Sequence, residues 1–157
     1  MEIKVESRDI TLQDVDAILV NLFEGVKSPE GATAAVDAAL DGGISKLIED
    51  GEISGAAGET TLIHTLGKMI PRRVLVVGLG KQSDFTIDTV RKICGNSIRK
   101  LRQIGLNSVA TVAHGEGVSL LSYPLIGQSI AEGIILGLYR FDKYKTKTNY
   151  YQERLSW

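Results

Sequence analysis

The sequence predicts a three-layer α/β/α fold built on one mixed sheet, and three observations carry that expectation. Residues 15–22, 73–77 and 108–113 are short apolar runs rich in Val and Ile, as expected of strands covered on both faces. Stretches with apolar residues at helical spacing separate them. Residues 60–65 and 73–77 are joined by so short a turn that they are expected to pair as an antiparallel hairpin, which makes the sheet mixed.

In chain order, residues 2–7 alternate, with Ile3 and Val5 on one side, and read as a first strand. Asp9, Thr11 and Asp14 supply a polar turn before the strand Val15–Leu22. A loop with Gly25, Pro29 and Gly31 leads into a helical stretch, residues 32–50, with Val36, Leu40, Ile44, Leu47 and Ile48 on one side. Gly42-Gly43 falls inside it, so two shorter helices are expected. Gly51, Gly55 and Gly58 mark a flexible connection to the hairpin. After Gly78-Leu79-Gly80-Lys81, Thr86 has the place of an N-cap. Ile87, Val90, Cys94, Ile98, Leu101 and Ile104 then form one helix face, and Gly105 is placed to end the helix. Gly115 and Gly117 break the strand at 108–113, and Pro124 suits the first turn of a last helix. That helix is expected to run to about Tyr144, with Ile126, Ile130, Ile134, Leu138 and Phe141 facing the core. Residues 146–157 lack periodicity and read as a linker or tail.

The 157 residues suit one domain, and 43% hydrophobic with 24% charged residues is ordinary for a globular chain. A net charge of -1 shows no large electrostatic footprint for nucleic acid or an anionic membrane. The single cysteine, Cys94, excludes an internal disulfide and a zinc–cysteine cluster, and fits a reducing, cytoplasmic setting. The start has no signal-peptide form, and no apolar run approaches the ~20 residues that span a bilayer.

Chemistry-bearing residues are sparse. Gly78-Leu79-Gly80-Lys81 follows a buried strand, so its backbone N–H groups could approach a phosphate. It lacks the third glycine of a dinucleotide fingerprint and the Lys-Ser/Thr ending of a P-loop, and a glycine-rich strand end is the plainer account. His64 and His114 are the only histidines, and no metal-binding spacing links them. Cys94 sits on an apolar helix face, the place of a small hydrophobe. No Gly-x-Ser-x-Gly elbow is present. Asp37, Asp41, Glu49, Asp50 and Glu52 read as solvated helix surface and ends. Arg140, Lys143, Lys145 and Lys147 make a basic end to the last helix, which suits its dipole. With Tyr139, Phe141 and Tyr144 nearby, and Tyr150, Tyr151 and Trp157 beyond, they could also cover a domain interface or stack on bases.

Several of these stretches resemble, in order, the N-terminal domain of the leucyl aminopeptidases, the cytosolic M17 metallopeptidases. They are Asp16-Ala17-Ile18-Leu19-Val20, Gly58-Glu59-Thr60-Thr61-Leu62, Val74-Leu75-Val76-Val77-Gly78-Leu79-Gly80-Lys81 and the helix from Thr86 to Gly105. The most specific is the end, Glu132-Gly133 through Leu136-Gly137-Leu138-Tyr139-Arg140-Phe141-Asp142-Lys143-Tyr144-Lys145. The resemblance covers residues 1–147 as one domain, with 148–157 a linker or tail matching nothing in it.

The resemblance implies a macro-domain-like fold and an accessory, non-catalytic role in assembly and active-site access. In that family the enzyme is a hexamer and the chemistry lies in a C-terminal domain. There two divalent metals (zinc, manganese or magnesium) activate a water that attacks the peptide bond after the N-terminal residue. The signature Asn-Thr-Asp-Ala-Glu-Gly-Arg-Leu of that site is absent, so no catalytic and no metal residue carries over to this chain, and Gly80-Lys81 is not the family's lysine site. The partner implied is the catalytic domain, approached through Arg140, Phe141 and Tyr144. A competing expectation is an ADP-ribose or nucleotide module. Macro domains bind ADP-ribose, and Asp16-Ala17-Ile18-Leu19-Val20-Asn21 resembles the strand carrying their adenine-reading aspartate; Asp16, Gly78, Gly80 and Lys81 would then bind the ligand. Glu24 and Glu30 in the neighbouring loop would repel phosphates. Nucleic-acid binding through the basic, aromatic end is the weakest expectation at this net charge.

Overall fold

The computed structural model describes residues 1–115 and 121–139. In chain order they form strand β1 (Ala17–Leu22), helices α1 (Gly31–Ala39) and α2 (Gly43–Glu49), strands β2 (Thr60–His64) and β3 (Arg73–Gly78), helix α3 (Ile87–Gln103), strand β4 (Val109–Thr111) and helix α4 (Tyr123–Leu138). The strands lie in the order β2-β3-β1-β4. β1 runs parallel to β3 and β4, and β2 pairs antiparallel with β3 as the expected hairpin. This is the mixed, macro-like α/β sheet that the sequence predicts.

The two central strands are buried on both faces because their residues alternate between two cores. Ile18, Val20, Leu22, Val74 and Val76 point to one side, where Val36 of α1 and Ile44 of α2 close over them. Ala17, Leu19, Leu75 and Val77 point to the other, against Ile93 and Leu101 of α3. α4 packs along α3.

Local signals place the helix boundaries. Gly42, at φ 80°, turns the chain between α1 and α2. Asp37, expected on a solvated surface, instead caps α2 from α1: its Oδ1 accepts from the N–H groups of Ile44 (2.7 Å) and Ser45 (2.9 Å). Thr86 caps α3 in a reciprocal box with Thr89. Gly105, at φ 80°, follows the end of α3, and Pro124 lies in the first turn of α4.

Two expectations are corrected. Residues 2–7 form no strand: they are exposed and irregular, and Val5 is 99% exposed. Their alternation has no neighbouring strand to pair with, and period alone does not make a strand. The last helix ends at Leu138 and does not reach Tyr144, because Tyr139 turns extended (φ -61°, ψ 128°). Its innermost residues are Ile126, Ser129, Gly133 and Gly137, while Ile130, Ile134 and Leu138 are only half-buried. Phe141 and the domain boundary at Lys147 lie outside the described residues.

Candidate functional site

In a sheet of parallel strands, ligands bind beyond the C-terminal strand ends, where successive connections leave on opposite faces. Here that point lies at the ends of β1, β3 and β4. The chain leaves β1 for α1 on one face and leaves β3 for α3 on the other. Leu22 is in register with Gly78, so Phe23, Glu24 and Gly78–Lys81 meet at this edge, and the turn after β4 brings Ala113–Gly115 to it.

The Gly78–Lys81 stretch is occupied by its own chain. Gly78 N–H donates to Glu59 O (2.8 Å), Leu79 N–H to Leu22 O (2.9 Å) and Gly80 N–H to Gly55 O (2.9 Å). The loop at 54–58, expected as a flexible connection, is therefore tied down. Glu59 tightens it by accepting from the N–H of Ser54 (2.9 Å) and of Gly55 (2.7 Å). The glycines are there for this docking. A Cβ on Gly78 would strike the Ala56 carbonyl, and one on Gly80 would lie 2.9 Å from Ala57 Cβ. The three backbone donors that a phosphate would use are already bonded.

Next to this loop the edge is sealed by rings. Phe85 meets Phe23 edge-on, with centroids 5.3 Å apart, and lies where a Cβ on Gly115 would have to go. His114 is wholly buried and fully bonded. Its Nδ1 accepts from Asn21 Nδ2 (2.9 Å), which leaves the proton on Nε2, donated to Thr111 Oγ1 (3.0 Å). The Thr111 hydroxyl donates onward to Val112 O (3.3 Å). Burial pushes the imidazole down to about 4, so it stays neutral near pH 7. No local motif marks His114, Phe23 and Phe85 as neighbours. The one signal in the sequence is Asn21, a lone polar residue in the apolar run of β1.

Asp16 is not at this edge. It precedes Ala17, whose β3 partner is Arg73, so it sits about 20 Å away along β1. Its carboxylate accepts from the N–H groups of Asn107 (2.8 Å) and Ser108 (3.0 Å), which hold its pKa below the usual carboxylate value. There it fastens the start of β1 to the approach to β4. The structure does not bring Asp16 together with Gly78, Gly80 and Lys81. Nor does it pair the histidines: His64 is in register with Arg73 at the Asp16 end, opposite His114. Cys94 is buried, and burial pushes its thiol up to about 12, so it is an inert hydrophobe. Arg140, Phe141 and Tyr144 lie outside the described residues.

Among the described residues no group of three or more His, Cys, Asp or Glu side chains could hold a metal ion. A small cavity beside buried Ser97, lined also by Thr60, Val77 and Ile93, has room for about one water. No helix of the described residues is long and apolar enough to cross a membrane.

Residues 19–148 match the family described as "Cytosol aminopeptidase family, N-terminal domain". The chain belongs to this family. A probable cytosol aminopeptidase of Geobacter sulfurreducens is 36% identical over 148 residues, which are 94% of this chain but 29% of that protein. The chain thus spans under a third of that relative, as its match to an N-terminal domain requires. Among solved structures, a tomato leucine aminopeptidase mutant superposes with a TM-score of 0.72 at 17% identity, over 91% of this chain and 29% of that one. The DarG macrodomain of Mycobacterium tuberculosis superposes at 0.67 with 18% identity, over 83% and 88% of the two chains. At these identities the superpositions establish the fold, which the aminopeptidase domain shares with macrodomains.

Proposed function

We propose that the chain is the accessory, non-catalytic N-terminal domain of a cytoplasmic leucyl aminopeptidase. It helps assemble that enzyme and shapes access to its active site. Residues 1–147 form the domain and 148–157 a linker toward the catalytic portion. That portion carries two divalent ions, zinc, manganese or magnesium, and removes N-terminal residues; the whole assembles as a hexamer. The observation that carries this role is the family match over residues 19–148 in a chain spanning only 29% of the Geobacter relative. The test is an assay of the purified chain with leucine p-nitroanilide and added Mn2+ or Zn2+. No release of nitroaniline is expected; release abolished by a chelator would overturn the role.

A nucleotide or ADP-ribose module is the competing role, supported by the likeness to a macrodomain. The bonded N–H groups of Gly78, Leu79 and Gly80 weigh against it. Calorimetric titration with ADP-ribose separates the two roles. Saturable one-to-one binding would favour the module, and no heat is the expected result.

A further inference from the structure

We infer that the outer face of α4 at its C-terminal end, formed by Ile135, Leu136 and Tyr139, is where the C-terminal catalytic portion of the full-length aminopeptidase docks. This rests on the accessory role proposed above.

The C-terminal half of α4 departs from the usual pattern of a surface helix. An ordinary one buries its large apolar side chains and shows polar ones to water. Along its C-terminal half α4 turns glycines inward: a Cβ on Gly133 would lie 2.5 Å from Arg91 O, and one on Gly137 2.6 Å from Gly95 O. On the opposite side of that half, Ile135 is 51%, Leu136 67% and Tyr139 71% exposed. Large apolar side chains exposed side by side mark a surface for another body to cover, and α3 covers only one side of this helix.

The position of the patch identifies its occupant. α4 is the last described element, and the chain leaves it at Tyr139 for the segment that closes the family domain. In the Geobacter relative most of the protein is not covered by this chain, whose match is to the family's N-terminal domain. The portion that follows is therefore tethered to the chain that leaves this patch, so even a modest apolar contact forms at high effective concentration. The platform is also firm. Arg102 Nη1 donates to Leu138 O (3.1 Å), and Arg91 Nε donates to Glu132 Oε2 (2.6 Å), so the C-terminal half of the outer helix is fastened to α3 at two points.

The test joins this chain ahead of the C-terminal portion of the Geobacter sulfurreducens protein and follows activity and unfolding. If the patch is the seat, the fusion hydrolyses leucine p-nitroanilide and melts in one calorimetric transition. Leu136→Asp splits that transition, lowering the part due to this chain by about 5 °C, and Tyr139→Asp does likewise. The isolated chain with either change keeps its melting temperature, so misfolding does not explain the split. An active fusion whose single transition survives both substitutions would overturn the docking site and leave the accessory role standing. A fusion that is folded but inactive, while the Geobacter protein with its own N-terminal portion is active, would overturn the accessory role and the docking site with it. A concentration-dependent dimer of the isolated chain, lost in Leu136→Asp, would assign the face to a second copy and overturn the docking site.

Discussion

α3 and α4 lie side by side, yet they obey opposite rules. α3 turns Val90, Ile93, Cys94 and Leu101 inward and its charged residues outward, and its Ile93 and Leu101 join the core under the sheet. α4 turns glycines inward and leaves Ile135, Leu136 and Tyr139 in water. α3 is a finished surface helix of a single domain. α4 is held by close backbone approach at Gly133 and Gly137, and its other side is exposed. The contrast shows that a helix can be seated by glycines on one side while large apolar side chains stay exposed on the other.

The substitution expected to break the contrast most severely is Gly133→Val. The added Cβ would meet the Arg91 backbone, at 2.5 Å from O and 3.0 Å from Cα, so the helices would have to part. A loss of about 4 kcal/mol in urea unfolding is expected. Leu101→Ala removes a large side chain that is 1% exposed on the sheet side of α3 and should cost about 3 kcal/mol.

The link between the helices responds to acid. His114 is neutral in the folded chain down to about pH 4, whereas unfolded it takes up a proton near 6.5. Between those values the unfolded state binds more protons, so stability falls as pH drops through this window, by roughly 3 kcal/mol in all. Urea midpoints measured from pH 7 to pH 4 should show that slope, and His114→Gln should flatten it. Asp16 and Glu132 have lowered pKa values, so their stabilisation is lost only on further acidification, below the ordinary carboxylate range.

Smaller effects sharpen the comparison. Thr86→Ala removes the cap box of α3 and should cost about 1 kcal/mol. Leu136→Ala, although it deletes as many atoms as Leu101→Ala, should change the unfolding of the isolated chain by less than about 0.5 kcal/mol. A loss near that of Leu101→Ala would mean that α4 is covered on both sides within this chain.

Much of the fold was legible because its signals are local. The break at Gly42-Gly43, the cap at Thr86, the stop at Gly105 and the hairpin from Thr60 to Gly78 each depend on residues within a few positions of one another. The strand expected at 2–7 failed for the complementary reason, since a strand needs a neighbour and alternation does not supply one. The helix expected to reach Tyr144 stops at Leu138 because the backbone turns extended at Tyr139, which apolar spacing does not register.

The candidate site was less legible. Gly78-Leu79-Gly80-Lys81 reads first as a glycine-rich strand end and only second as a phosphate loop, but spacing does not show that its glycines admit the backbone of residues 55–57, far away in sequence. Asp16 reads as its companion, but the parallel register puts it at the opposite end of β1.

The sequence by itself determined the family, the alternation of buried strands and helices, and the helix caps, because these are written in residue order and spacing. The tertiary structure alone decided which glycines are packing surfaces, that His114 is sealed against Asn21 and Thr111, and which side of α4 faces water. Those depend on which distant backbones approach one another, and spacing along a chain does not record distance across it.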